Sequence, residues 1–165
     1  MSSNSCSNRP VQVGFALTGS FCTFHQVIEQ MEAVAAHPDW QVIPILSPNA
    51  YETDTRFGKA ADFRTQIERI CGHEIWHTIA QTEPIGPKKL LDVLLVAPCT
   101  GNTLGKLANA GKNIGLLFNS KNIYFVPMRQ DNATGKPTSV VADFTQIVPA
   151  VEAALQARQV QPLFC

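Results

Sequence analysis

The feature that most constrains the fold of this chain is a strand-length apolar run that passes directly into a helical pattern. Val11–Leu17 (VQVGFAL) has the continuous apolar character of a strand buried on both faces. Thr18-Gly19-Ser20 interrupts it, and apolar residues then recur at helical spacing from Phe24 to Ala35. A strand, a tight turn and a helix in direct succession are typical of a parallel α/β sheet.

The same alternation continues along the chain. Further strands are predicted at 41–46, 74–79, 90–96 and 123–126, and further helices at 60–71, 102–109, 112–118 and 143–159. Pro44 inside the second strand indicates a sheet edge or an irregular ladder, whereas 90–96 is apolar enough to predict a central strand. The pattern predicts one α/β domain over residues 11–165, with an open, mostly parallel sheet, after a disordered leader at 1–10.

Composition excludes several classes of function. The 165 residues suit a single domain, and 13 basic residues balance 13 acidic ones without a basic cluster, which argues against a nucleic-acid surface. No apolar run approaches the ~20 residues of a membrane span, and the polar N-terminus lacks the apolar core of a secretory signal. The five cysteines are scattered and the four histidines lack ligand spacing, which favours a reduced cytoplasm and no metal. Low charge with zero net charge favours self-association.

Ligands of open α/β sheets bind beyond the carboxyl ends of the strands, and three segments of this chain are predicted there. In the first, Thr18-Gly19-Ser20, a glycine that lets the backbone approach a ligand and two hydroxyls could cradle a phosphate at the helix start. The alternative is that Ser20 or Thr23 merely caps the helix. The segment lacks the full G-x-G-x-x-G and G-K-[ST] patterns, which argues against a dinucleotide or a nucleoside triphosphate.

The second and third segments follow the next two apolar strands. Ser47 stands after 41–46 and could reach the same ligand, or it could form part of a plain turn. Asn102 follows 90–96 and could hydrogen-bond a heterocycle edge, or it could cap the next helix, with Lys106 one turn further on. Cys22 and Cys99 fall at the same predicted edge and are interpreted as bystanders, since free cysteines are commonly inert.

Several blocks of the sequence carry a resemblance to a known family. A-P-x-T-x-N-T-x-x-K follows an apolar strand, T-G-S follows the first strand, and T-D-T-R-F-G-K-A, E-P-I-G-P-K-K and K-N-I-Y-F-V-P occur in the matching order. With them the chain resembles the flavoprotein superfamily of homo-oligomeric flavin-containing cysteine decarboxylases. Within that superfamily it is similar to the branch formed by the B subunits of dipicolinate synthases. The resemblance covers most of the chain from Gln12 and implies a Rossmann-like (flavodoxin-like) sheet with helices on both faces.

The resemblance implies a flavin site. Thr18, Gly19 and Ser20 would face the phosphate of FMN, with Ser47 near it, either in a working site or in a vestigial phosphate cradle that no longer holds the flavin. The ribityl chain and the isoalloxazine would lie along Pro98, Thr100, Asn102 and Thr103. Arg56 and Lys59, in a block typical of the branch, are candidates for a dicarboxylate substrate together with Lys106, because paired cations suit carboxylates. The alternative for Arg56 and Lys59 is an exposed basic helix start. No catalytic residue is assigned.

The resemblance also implies an activity and its partners. The chain would be the flavoprotein-like subunit of an oxidoreductase that forms dipicolinate from a dihydrodipicolinate-type intermediate in the mother-cell cytoplasm of a sporulating bacterium. The partner would be the A subunit of dipicolinate synthase, which would bind NAD(P), and the superfamily tends to form trimers or larger assemblies. The alternatives are an FMN-dependent decarboxylase of a cysteine-derived carboxylate and a non-catalytic scaffold.

Two departures from the family pattern bear on these alternatives. Decarboxylases of the superfamily carry a histidine just before the strand that leads to A-P, whereas this chain has Glu83-Pro84-Ile85-Gly86-Pro87 there, and His73 and His77 lie further upstream. In addition, roughly forty residues of the family pattern have no counterpart after Asn109, an estimate from βαβ lengths. That segment is either lost from this chain or omitted from the sequence, and omission is favoured because its loss would leave a gap in the sheet.

Overall fold

Three parallel strands form the centre of the molecule. A computed structural model describes residues 9–110, 120–137 and 139–164, with the side chains of 108–110 excepted. The sheet has the order β2-β1-β3, formed by Val11–Leu17 (β1), Trp40–Leu46 (β2) and Val93–Val96 (β3). Both pairings are parallel. The open parallel sheet with flanking helices is the Rossmann-like, flavodoxin-like architecture, which confirms the predicted fold class.

Helices occupy the connections between the strands. The α-helices are α1 (Phe24–Ala35), α2 (Pro48–Glu52), α3 (Ala60–Cys71), α4 (Ile79–Thr82), α5 (Gly101–Ala110) and α6 (Ile147–Leu155). Short 3-10 turns precede α1 at Phe21–Thr23, follow α4 at Glu83–Ile85 and precede α6 at Phe144–Gln146. A separate antiparallel pair joins β4 (Met128–Gln130) to β5 (Val140–Ala142).

The core lies between one face of the sheet and helices α1, α3 and α6. Alternate β1 residues, Val13, Phe15 and Leu17, are fully buried on this face. Helix α1 covers them because its apolar residues recur every three or four positions and so share one side, from Phe24 to Val34. Burying a side chain of this size contributes about 1.5–3 kcal/mol, so this layer is the main source of stability.

The opposite face of the sheet explains the glycine within β1. A Cβ atom on Gly14 would lie 2.4 Å from Cδ1 of Leu91 and 3.0 Å from Cδ1 of Leu94. These leucines therefore occupy the space that a side chain at position 14 would need. Ile45 of β2 lies on the same face, and its Cδ1 would be 3.5 Å from a Cβ atom on Gly14.

Several predicted elements agree with the structure, and others are wrong. The bounds predicted for β1 and α3 are confirmed, and Pro44 does lie in an edge strand of the described sheet. Among the described residues β3 also lies at an edge and β1 is central, so the prediction that 90–96 is central fails there. The strand predicted at 74–79 does not form. Only Trp76 of this segment pairs with β2, in an isolated bridge to Ile45.

The C-terminal third was predicted least well. No strand forms at 123–126, and the strands that follow it are β4 at Met128–Gln130 and β5 at Val140–Ala142. The last helix begins only at Ile147, since Asp143 accepts the Thr145 N–H and starts a 3-10 turn instead. The helix predicted at 112–118 lies outside the described residues, as do residues 1–8 of the leader predicted at 1–10, whose Arg9 pairs with Asp92. No helix in the described part of the chain has the length and apolarity to cross a membrane.

Candidate functional site

Three loops meet at the carboxyl edge of the parallel sheet. The register pairs Leu17 with Leu46 and Ala16 with Val96, so the three strands end at one level. The Ser47 N–H donates to the Leu17 carbonyl at 3.0 Å and joins the second loop to the first. The Ala97 N–H donates to the Ala16 carbonyl at 2.9 Å and joins the third. The structure therefore brings together the three segments that the sequence predicts at this edge.

The first loop leaves backbone and side-chain donors available. The N–H groups of Gly19 and Phe21 donate to no acceptor within the described chain. The Ser20 hydroxyl has only a weak contact, with Cys22 Sγ at 3.9 Å. Neither Ser20 nor Thr23 makes a side-chain cap bond, and the Thr23 hydroxyl instead donates to the Ser20 carbonyl at 2.9 Å. The capping alternative for Ser20 is therefore wrong in this structure.

Gly19 is not required by its protein surroundings. Its φ lies outside the left-handed region, and a Cβ atom there would meet only ordinary contacts, the Phe21 ring at 3.6 Å and Asn49 Cβ at 3.9 Å. Neither backbone strain nor crowding by the described residues therefore excludes a larger side chain. The bare backbone at Gly19 is suited to close approach by a group that is not part of the chain.

The second loop is a helix start rather than a plain turn. Ser47 Oγ accepts the Ala50 N–H at 3.4 Å and caps α2, with Pro48 in its first turn. An accepting hydroxyl keeps its own proton, so Ser47 can still donate to a ligand. The Ser-Pro pair is the sequence signal from which this short helix could have been predicted. Sequence reasoning also missed Asn49, whose side chain is exposed opposite Gly19.

Thr18 joins the first loop to the third. Its hydroxyl donates to the Pro98 carbonyl at 2.7 Å and accepts the Thr100 N–H at 2.9 Å. Its own N–H donates to the same Pro98 carbonyl at 3.3 Å. The Ala97–Pro98 peptide bond is cis, and Pro98 is buried.

Thr100 rather than Asn102 caps α5. Thr100 Oγ1 accepts the Thr103 N–H at 3.2 Å, and the two threonine hydroxyls lie 2.9 Å apart. Since one of the two hydroxyls donates to the other, one proton of the pair remains available. Asn102 falls in the first turn with its amide exposed, so its predicted capping role is wrong, while its contact with a heterocycle stays a prediction. Lys106 is exposed one turn further along.

Of the two cysteines at this edge, Cys99 is not an activated nucleophile. Partial burial raises the pKa of the Cys99 thiol, which keeps it uncharged at neutral pH. Cys22 is exposed beside Ser20. Among the described residues no group of three or more histidine, cysteine or acidic side chains is arranged to hold a metal ion.

Of the three residues proposed for a dicarboxylate, Arg56 and Lys59 lie in a turn separate from the three loops, whereas Lys106 lies on α5. Thr55 and Gly58 exchange two backbone hydrogen bonds, and Asp54 accepts the first N–H of α3, from Ala60, at 2.8 Å. In this turn the Arg56 guanidinium covers the Phe57 ring. None of the described contacts joins Arg56 or Lys59 to the three loops. Their substrate role stays a prediction.

A stacked cluster holds α2 in place and was not predicted from sequence. The Tyr51 ring stacks on His77 with centroids 3.6 Å apart. The Arg64 guanidinium also lies over the Tyr51 ring, 4.6 Å from its centroid, and donates a hydrogen bond to the Tyr51 carbonyl. The cluster joins α2 to α3 and to the segment beside β2, and therefore fixes the loop that carries Ser47 and Asn49.

Comparisons with known proteins give the family. A model of the flavoprotein family matches residues 1–111, about two thirds of the chain. The chain belongs to the flavoprotein family. It is 34% identical to the B subunit of dipicolinate synthase from Bacillus subtilis strain 168, and the match covers 92% of each chain. The crystal structure of the dipicolinate synthase B subunit from Bacillus halodurans matches with a TM-score of 0.82 and 34% identity, and the match covers 95% of this chain and 97% of that one.

Membership implies a flavin cofactor, and the resemblance seen in the sequence is confirmed. The matched stretch in the Bacillus subtilis protein, 185 residues, is longer than this chain of 165. The relative therefore has residues without a counterpart here. That they belong after Asn109 stays a prediction, because 111–119 lie outside the described residues.

The donors at the three loops fit the phosphate end of a flavin. A phosphate accepts hydrogen bonds, and the groups left free at this edge are donors: the Ser20 and Ser47 hydroxyl protons and the Gly19 and Phe21 N–H groups. The bare Gly19 backbone allows a phosphate to approach these N–H groups closely. These donors are neutral, and no ion pair or hydrogen bond among the described residues joins a cation to them.

Proposed function

We propose that this chain is the flavin-binding subunit of a dipicolinate synthase. It would form dipicolinate from a dihydrodipicolinate-type intermediate together with a separate NAD(P)-binding partner, the A subunit of the synthase, during sporulation. The single observation that carries the proposal is the 34% identity with a dipicolinate synthase B subunit over 92% of both chains. The free donors at the three loops support it, since a subunit of this kind needs a flavin site.

The proposed cofactor is FMN. Ser20, Ser47 and the Gly19 backbone would bind its phosphate, and Asn102 with the Thr100–Thr103 pair would lie along the ribityl chain and the ring. Bound there, the flavin would supply a two-electron acceptor. The chain's own residues would bind and orient it.

The division of work between two subunits is what the family resemblance implies, and the features of this chain are compatible with it. Its one described parallel sheet carries one candidate ligand edge, and the G-x-G-x-x-G pattern for a dinucleotide is absent from its sequence. NAD(P) would bind to the partner, as the resemblance implies. A cytoplasmic location and a homo-oligomer of three or more copies complete the proposal.

Two measurements test it. Purified chain titrated with FMN should quench the flavin fluorescence with a saturable curve. Dipicolinate formation, followed by its ultraviolet absorbance, should be faster when this chain is added to the NAD(P)-binding partner than with the partner alone. A chain that leaves FMN fluorescence unchanged contradicts the flavin site. A chain that binds FMN but does not raise the rate contradicts the synthase role.

A further inference from the structure

Thr18 stands out because its hydroxyl is already fully engaged as a donor. A threonine hydroxyl has one proton and two acceptor lone pairs. The proton of Thr18 points to the Pro98 carbonyl at 2.7 Å, which can only accept. One lone pair accepts the Thr100 N–H at 2.9 Å. What remains is a lone pair, which repels a phosphate oxygen.

The partners of Thr18 belong to a different loop from its own. Thr18 ends the first strand, whereas Pro98 and Thr100 follow β3 about eighty positions later. Together with the Thr18 N–H, which also donates to the Pro98 carbonyl, three hydrogen bonds join the two loops through one residue. The start of the third loop is also held by the Ala97 N–H, which donates to the Ala16 carbonyl, and by the burial of Ala97 and Pro98, whereas the helix that follows is exposed at Lys106 and Leu107.

Thr100 connects this arrangement to the ligand side. Its N–H is held by Thr18, and its hydroxyl caps α5 by accepting the Thr103 N–H. The position of Thr100 therefore sets where α5 begins and where the exposed amide of Asn102 lies. A loss of the Thr18 hydroxyl would leave the Thr100 N–H without its acceptor and the Pro98 carbonyl with only the Thr18 N–H at 3.3 Å, which costs more than the loss of one bond.

We propose that Thr18 is a positioning residue of the cofactor site and not a phosphate contact. Its hydroxyl fixes the third loop, which carries Thr100, Asn102 and Thr103, relative to the first loop. The proposal rests on the proposed flavin site. It predicts that the effect of Thr18 on affinity does not depend on the phosphate of the ligand.

The test compares two ligands and three variants. Thr18→Val removes the hydroxyl at nearly constant size, Thr18→Ser retains it, and Thr65→Val is the control, because the Thr65 hydroxyl bonds only the Ala61 carbonyl within α3. FMN and riboflavin, which lacks the phosphate, are titrated by fluorescence quenching. Thr18→Val should lower the affinity for FMN and the affinity for riboflavin by the same factor of about ten. The affinities of Thr18→Ser and Thr65→Val for both ligands should stay close to those of the unsubstituted chain.

Each other outcome overturns the proposal. If Thr18→Val lowers the affinity for FMN and leaves the affinity for riboflavin unchanged, Thr18 contacts the phosphate directly. If it changes neither affinity, the hydroxyl does not position the loop. If Thr18→Ser is as weak as Thr18→Val, the methyl group rather than the hydroxyl is what matters.

Amide hydrogen exchange of the unsubstituted chain without flavin decides the case if Thr18→Val does not fold or FMN does not bind. The Thr100 N–H should exchange slowly compared with an unprotected amide, because Thr18 accepts it. Exchange at the unprotected rate would mean that the bond is absent in solution, and the positioning role would be wrong. Failure to bind FMN with a protected Thr100 N–H would contradict the proposed function and leave the loop contact standing.

Discussion

Gly19 faces Asn49 across the gap between the first two loops, and a Cβ atom on Gly19 would lie 3.9 Å from the Cβ of Asn49. This distance is an ordinary contact, so the protein itself has room for a side chain at position 19. The glycine matters only if a ligand approaches the backbone there. Substitution of Gly19 should therefore weaken FMN binding without lowering the stability of the fold.

Gly19→Ala should bind FMN about tenfold or more weakly, because overpacking costs about 1–3 kcal/mol. Its free energy of unfolding should stay equal or rise by up to about 1 kcal/mol, since alanine restricts the unfolded chain. Fluorescence titration and urea unfolding measure the two. Gly86→Ala is the control, because Gly86 has open space and lies outside the three loops. Unchanged FMN affinity of Gly19→Ala would show that no ligand group approaches that backbone.

Ser20→Ala should lower the affinity for FMN roughly 10–100-fold, because a hydrogen bond to a charged group contributes about 1.5–3 kcal/mol. Riboflavin affinity should be unaffected, since the predicted partner of this hydroxyl is the phosphate. Parallel titrations with both ligands check this, with Thr65→Ala as the hydroxyl-removing control on the surface of α3. Equal losses for FMN and riboflavin would argue against a phosphate contact.

Cys22 should report the flavin by its reactivity. It is exposed and lies 3.9 Å from the Ser20 hydroxyl, so bound FMN should slow its alkylation by iodoacetamide at pH 8. Burial raises the pKa of Cys71 to about 12, and that thiol should stay unlabelled with or without FMN. Peptide mapping by mass spectrometry separates the two. Labelling of Cys22 at the same rate in saturating FMN would place the flavin elsewhere.

Asp92 should make stability depend on pH. It binds the Arg9 guanidinium at 2.7 and 2.9 Å and accepts the Gln12 N–H at 2.8 Å, and the Arg9 bond lowers the pKa of Asp92. The stabilisation is present above the unfolded-state pKa of about 3.9 and is lost as pH falls through the lower folded-state pKa.

Asp92→Asn should therefore unfold slightly more easily at pH 7, because an exposed ion pair contributes little to stability. At a pH below both pKa values the difference from the unsubstituted chain should disappear. Urea unfolding at the two pH values measures it, with Asp39→Asn as a control in an exposed turn. A difference that persists unchanged at low pH would mean that the charge of Asp92 is not its cause.

Gly14→Ala should destabilise the chain by about 1 kcal/mol, because its Cβ would lie 2.4 Å from Leu91 Cδ1 and 3.0 Å from Leu94 Cδ1, and both partly exposed leucines would have to shift. Gly19→Ala is the matched control, since the same change there meets no close atom. Urea unfolding of the two variants gives the comparison. Equal free energies of unfolding would show that Leu91 moves aside without cost.

The sequence by itself determined the parts of this protein that depend on short-range periodicity. The apolar run of β1 and the amphipathic spacing of α3 predicted their bounds, and the Thr18-Gly19-Ser20 turn predicted which loop lies at the carboxyl edge. The match of ordered motif blocks predicted the family. These signals are local, so neighbouring residues carry them without knowledge of the fold.

Only the tertiary structure decided which polar groups are free to bind. Thr18, Ser20 and Thr100 are equivalent hydroxyls in the sequence, yet Thr18 donates its proton across loops, Thr100 caps a helix and Ser20 keeps its proton. Likewise, 90–96 is the most apolar strand but lies at an edge of the described sheet, while β1 is central. Hydrogen-bond partners and strand order depend on residues far apart in the chain, and local composition cannot specify them.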